Sequence, residues 1–178
     1  MPLINTPSIE TAPAASQPYL QAVKSQLGVV PNMFRLFANS PAVLEGFLGL
    51  HGALGKGKLS NKTRERLALA VAQLNGCDYC LSAHTYFSMN FAKLDDAEIA
   101  RNRKGVSADE KADVALHFAL DLTRERGRVG ESDVQKLLDA GYGADEILEI
   151  IAHVVVNLFA NYVNIALGTE IDFPLVRA

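Results

Sequence analysis

A chain of 178 residues with a formal net charge of −3 is long enough to bury one full hydrophobic core, and it carries no excess of positive charge. The 17 Lys and Arg are scattered apart from short runs at 64–66, 101–104 and 124–128, which argues against a nucleic-acid or anionic-membrane partner. The hydrophobic fraction of 49% is high for a lone monomer and points to an oligomer with apolar interfaces.

The chain opens Met1-Pro2-Leu3-Ile4-Asn5, without the basic and long apolar regions of a secretory signal, so the expected location is cytoplasmic. Residues 1–18 hold Pro2, Pro7, Pro13 and Pro18. Proline at that density blocks a helix. These residues are expected to form an extended arm lying across a neighbouring copy, with residues 19–178 as a single all-helical domain. Tyr19 to Leu27 reads as a short helix closed by Gly28. Pro31 opens a second helix through Ala38, as proline suits a first turn. Ser40-Pro41 starts a third, with Val43, Leu44, Phe47, Leu48, Leu50 and Leu54 as its apolar positions and Gly55 and Gly57 as its end.

Ser60 is placed to cap a helix over 61–75, whose stretch Leu67-Ala68-Leu69-Ala70-Val71-Ala72 is apolar all round and therefore buried on every side. Asn75-Gly76 breaks it, and a new helix carries the two cysteines in its first turns and reaches about Asn90. Asp95 or Asp96 caps a short helix to Arg103. Ser107-Ala108-Asp109-Glu110 reads as a capping box for a helix to about Arg126. Gly127 and Gly130 frame a turn before a helix from Glu131 to Ala140. The last helix runs from Ala144 or Asp145 to Leu167 and ends at Gly168. No stretch alternates with period two, so the fold class is all-α.

The span from Ile147 to Leu167 is long enough to cross a bilayer. It carries Glu149, His153, Asn157, Asn161 and Asn164, each costly in lipid, and reads instead as a buried helix with no membrane partner. Its stripe His153, Asn157, Asn161 and Asn164 is read as a helix or subunit contact rather than a pocket wall. His51 is read as a core or interface histidine and His117 as structural. Aromatic packing accounts for Tyr79 and Tyr86. Glu149, Asn161 and Asn164 repeat the spacing of Glu65, Cys77 and Cys80, an echo that either common descent of two helical units or chance explains.

The only two cysteines stand in Cys77-Asp78-Tyr79-Cys80, with His84 one turn further on. On a helix Cys77, Cys80 and His84 fall within roughly 60° of one another, so two thiols and an imidazole share a face. The nucleophile in thiol chemistry is the thiolate, and a free thiol with a pKa of about 8.5 is mostly protonated at neutral pH. A helix N-terminus favours the anion. His84 is placed to take or hold its proton, and Glu65 to orient the imidazole. The dipole by itself favours Cys77 as nucleophile. Two thiols three residues apart also close a disulfide, which permits a cycle through a sulfenic acid and back by an external dithiol. A zinc site of Cys77, Cys80, His84 and Glu65 is chemically possible, but structural zinc usually recruits a second cysteine hairpin, so no metal and no cofactor are expected. Three functions remain open on these residues: a thiol peroxidase, a thiol–disulfide oxidoreductase, and a non-enzymatic helical assembly module with structural or redox-sensing cysteines.

The run Glu65-Arg66-Leu67-Ala68-Leu69-Ala70-Val71-Ala72-Gln73-Leu74-Asn75-Gly76-Cys77-Asp78-Tyr79-Cys80-Leu81-Ser82-Ala83-His84 resembles the core of the carboxymuconolactone decarboxylase-like superfamily, in its alkylhydroperoxidase D-like (AhpD-like) branch. The flanks, Leu27-Gly28-Val29-Val30-Pro31-Asn32-Met33-Phe34 and the segment from Asn157 to Asp172, resemble the peroxidase-related subgroup. The resemblance implies an AhpD-like helical bundle assembled as a trimer or hexamer. It implies an antioxidant peroxidase that reduces organic hydroperoxides and is itself reduced by an external dithiol or thiol protein. In that pattern Cys80 is the peroxidatic cysteine, Cys77 the resolving thiol, and Glu65 and His84 the proton relay. One departure is Tyr79, where the alkylhydroperoxidase proper resembles Cys-x-His-Cys. The decarboxylase branch lacks the cysteine pair, so lactone decarboxylation is not expected.

Overall fold

The computed structural model describes residues 2–178 and contains no strand among them. Nine α-helices follow in order: α1 (Gln17–Leu27), α2 (Asn32–Phe37), α3 (Pro41–Leu54), α4 (Asn61–Asn75), α5 (Asp78–Phe87), α6 (Asp96–Arg103), α7 (Glu110–Arg124), α8 (Glu131–Asp139) and α9 (Ala144–Leu167). The all-α class read from the sequence is the class of the structure.

α4 is the axis of the molecule. It packs against α5, α6, α7 and α9, and the all-round apolar stretch from Leu67 to Ala72 is buried throughout. One side of it, with Leu67 and Val71, joins Leu116 and Ala119 of α7, Leu137 of α8, and Ile150 and Val154 of α9. Another, with Leu69 and Ala72, meets the start of α5 and Ile171, Phe173 and Val176 of the C-terminal tail. A third cluster joins α1, α2 and α3 to Val156 and Ala160 of α9. α9 is long and apolar enough to cross a membrane by length and composition; 44% of its most apolar window is buried in this fold.

Caps match the expected residues at Ser40, Ser60 and Asp95, whose side chains accept from the amides of Val43, Thr63 and Glu98. The start of α7 differs. Asp109 is the N-cap, accepting from Ala112 N at 3.1 Å, while the Ser107 hydroxyl donates to Glu98 of α6. A buried carboxylate from another helix has claimed the serine expected to form the capping box.

The arm also differs from a uniformly extended one. Ala14–Ser16 form a 3₁₀ turn and α1 starts at Gln17, so Pro18 lies in its first turn, where its missing N–H is not needed. The residues before it are held by their own chain. Leu3 N donates to Leu167 O at 2.9 Å, the Arg35 guanidinium to Thr6 O and Pro7 O at 2.9 Å, and Asn39 Nδ2 to Asn5 O at 2.8 Å.

Candidate active site

The site begins where α4 must stop and turn. Gly76 takes a left-handed conformation (φ 70°), which glycine adopts without steric cost. Cys77 follows as the N-cap of α5, outside the helix, and its sulfur accepts from Cys80 N at 3.3 Å. Cys80 is in the first turn. The two are joined as a disulfide with Cα atoms 5.3 Å apart, and both are buried.

One turn on, His84 Nδ1 donates to Glu65 Oε2 at 2.8 Å, across from α5 to α4. A carboxylate only accepts, so this contact leaves the proton on Nδ1 and directs the lone pair of Nε2 elsewhere. From the other side, Asn164 of α9 brings Nδ2 within 3.4 Å of the Cys80 sulfur. Residues of three helices, α4, α5 and α9, thus gather around the disulfide.

Cys80, Glu65 and His84 open on a cavity of about 440 Å³, which Tyr79, Phe47, Phe87, Phe91 and Phe173 also line. Cys77 is not part of the lining; its sulfur lies behind that of Cys80. After Phe87 the helix widens into a π turn over Ser88–Ala92, closed by Lys93 at φ 56°, instead of running on to Asn90 as an α-helix. Tyr79 points to the tail. Its hydroxyl accepts from Met33 N at 3.1 Å and its ring meets Phe173 edge-on, and burial raises its pKa, so it stays a neutral phenol. Tyr86 lies further out, against Phe87, Phe91 and Phe173.

The polar stripe on α9 divides between roles. His153 and Asn157 line the cavity, contrary to the helix-contact reading, and Asn164 lies on the sulfur. Asn161 alone makes a plain helix contact, accepting from Asn75 Nδ2 at 2.9 Å. Burial pulls His153 down to about 4, with the charges of Arg64 and His51 adding to the shift, and its Nε2 has no partner. His51 also lines the cavity rather than filling a core. His117 is at the surface, on Asp113. Glu149 accepts from the amides of Lys58 and Leu59, so the echo of Glu65 contributes no second proton relay. Among the described residues no group of three or more His, Cys, Asp or Glu side chains converges as metal ligands.

Residues 41–121 match the carboxymuconolactone decarboxylase family. No curated protein matches the chain. Among solved structures, it is similar to the alkylhydroperoxidase AhpD core of an uncharacterized peroxidase-related protein from Ralstonia eutropha JMP134, at 22% identity and a TM-score of 0.87 over 96% of this chain and 92% of that one. A peroxidase-related protein from Silicibacter sp. TM1040 has 25% identity and a TM-score of 0.83, with 95% and 91% covered. The debrominase Bmp8, in a cysteine-to-alanine variant bound to 2,3,4-tribromopyrrole, has 19% identity and a TM-score of 0.76, with 89% and 86% covered. The segment that matches the carboxymuconolactone decarboxylase family holds Glu65, Cys77, Cys80 and His84, and the fold around it is the one seen in the AhpD-like, peroxidase-related structures.

Proposed function

We propose that this protein is a thiol-dependent peroxidase that reduces organic hydroperoxides through Cys80 and Cys77, with Glu65 and His84 handling the proton. The observation that carries the reading is the pairing of a buried Cys77–Cys80 disulfide, with Cys80 on the cavity wall, and a His84–Glu65 dyad on the same wall. In the reduced protein His84 Nε2 takes the Cys80 proton. The thiolate attacks the terminal peroxide oxygen, the O–O bond breaks, and the alkoxide leaves as alcohol with the proton returned by His84. Cys80 is now a sulfenic acid. Cys77 attacks its sulfur, water leaves, and the disulfide forms. An external dithiol or thiol protein then reduces the disulfide by exchange and is itself oxidised to a disulfide. Exposure of Cys80 rather than Cys77 to the cavity favours Cys80 as the attacking thiol, against the helix-dipole argument.

A second reading is reductive dehalogenation, which the aromatic lining and the likeness to the debrominase favour. There two thiols would become the disulfide while a carbon–bromine bond is replaced by carbon–hydrogen, releasing bromide and a proton.

Intact-mass measurement on the reduced protein after one equivalent of cumene hydroperoxide tests the first reading, and the same experiment with tribromopyrrole tests the second. The expected result is loss of two hydrogens with the peroxide. Cys80→Ser should abolish peroxide consumption, and Cys77→Ser should react once and leave a sulfenic acid trapped at Cys80. A trap that labels Cys77 in Cys80→Ser reverses the roles, and inertness of the wild-type protein to the peroxide overturns the function.

A further inference from the structure

At the end of the cavity away from the disulfide stands a cation without a counter-ion. Arg64, half-buried, donates to the carbonyls of Gly55 (2.8 Å) and Leu54 (3.4 Å) and to Asn61 Oδ1 (3.4 Å), and no carboxylate pairs with it among the described residues. Removing a guanidinium from water without an opposing charge is unfavourable, so the site gains from an anion. The only carboxylate in the lining, Glu65, is hydrogen-bonded to His84 and makes no ion pair with Arg64. Two imidazoles, His51 and His153, face the same space; His153 is 5% exposed and its Nε2 has no partner. Burial keeps that ring neutral, so it offers an N–H to a ligand oxygen and adds no charge. A guanidinium whose own hydrogen bonds go to uncharged oxygens, with neutral donors beside it, suits a carboxylate.

The helix α9 measures how far His153 lies from Asn164, the residue on the Cys80 sulfur. His153, Asn157 and Ala160 line the cavity on one face of the helix, and Asn164, next on that face, touches the Cys80 sulfur. From 153 to 164 the helix axis advances about 16 Å. Between the ends the wall is apolar, with Phe34, Phe47, Leu48 and Phe87. A cavity of about 440 Å³ is in the range that encloses a small-molecule ligand.

We infer that the substrate is an amphiphilic acid: a long-chain carboxylic acid hydroperoxide whose carboxylate is held by Arg64, His51 and His153 while its apolar chain carries the peroxide to Cys80. The inference rests on the peroxidase reading for what happens at the sulfur, but not for what binds at the other end. A peroxide of cumene size does not reach both poles.

Calorimetry on the disulfide form, which cannot turn over, isolates binding. The probes are decanoate and 1-decanol below their aggregation limits. Decanoate should bind at least about tenfold tighter than decanol, a preference of the size of one charge-assisted hydrogen bond. Arg64→Gln should erase the preference without weakening decanol, and Arg64→Lys should keep most of it. Equal affinities in the wild-type protein, binding of neither probe, or an equal loss for both in Arg64→Gln overturns the inference. If Arg64→Gln does not fold, the wild-type comparison decides alone. A wild-type protein that binds decanoate selectively but leaves every hydroperoxide intact refutes the peroxidase reading and not this one.

Discussion

Asn164 donates Nδ2–H to the Cys80 sulfur across 3.4 Å, and its own Oδ1 is buried with no partner. A disulfide sulfur is a weak acceptor, so this contact is nearly idle in the oxidised protein. On reduction the same geometry faces a thiolate, a far better acceptor, and the donor favours the ionised form over the thiol. The amide is therefore set for one redox state.

Asn164→Ala removes that donor. The Cys80 thiol pKa should rise, because the ionised form loses a hydrogen bond that the neutral thiol scarcely needs. The check is the pH profile of iodoacetamide alkylation in the reduced protein, which should shift to higher pH while peroxide reduction slows and is not abolished. An unshifted profile removes Asn164 from the site.

Glu65→Gln leaves a hydrogen-bonding group of the same shape opposite His84 but no charge. The amide can present either an acceptor or a donor to Nδ1, so the imidazole tautomer that leaves Nε2 free to take a proton is no longer enforced. Peroxide reduction should fall by about 10²-fold, at the low end of general-base contributions. Stopped-flow measurement with one equivalent of hydroperoxide reads this directly, and an unchanged rate refutes the relay.

Acid stability should hinge on Glu98, far from the cavity. Burial alone would raise its pKa, but Ser107, Asn102, the amide of Ala108 and Arg66 together pull it down from 4.5 to about 2. A carboxyl whose pKa is depressed by folding stabilises the fold above its unfolded value, and that stability is lost as pH falls from about 5 toward 2. The contribution is on the order of 3 kcal/mol. Urea unfolding of Glu98→Gln at neutral pH should show a loss of that order, and its stability should then vary much less than the wild type's over this pH window.

The outer face of α9 carries Leu148, Val155, Phe159 and Tyr162 in one exposed stripe. Apolar surface in such a row is a mark of an interface, and a second copy of this chain is the partner proposed for it. Light scattering should give a mass above the 19.2 kDa of one chain. Val155→Glu, at the centre of the stripe, should reduce it to that value with helix content intact.

The helices were legible because their signals are local. Ser40, Ser60, Gly76 and Gly168 mark boundaries through contacts within a few residues, and the apolar ring from Leu67 to Ala72 announces a central helix by itself. Glu65, Cys77, Cys80 and His84 were equally visible, since spacing along two adjoining helices nearly determines their approach. What periodicity does not supply is the identity of whatever lies opposite a face. His153, Asn157, Asn161 and Asn164 form one stripe in the sequence, but whether it meets a helix, a subunit or an open space depends on whether α3 and α5 stand opposite it. Ser107 fails as a cap for the same reason: its competitor Glu98 lies on another helix. The arm ends earlier than Pro18, because proline blocks a helix interior but not a first turn, and α1 begins at Gln17 rather than Tyr19.

The placement of Cys77 behind Cys80 has a kinetic consequence. If the sulfur that meets peroxide is also the one a reductant's thiolate must strike, the two co-substrates compete for one vacancy and cannot be bound together. Turnover would then follow parallel-line, ping-pong kinetics, and excess hydroperoxide would inhibit by occupying the oxidised protein before the dithiol arrives.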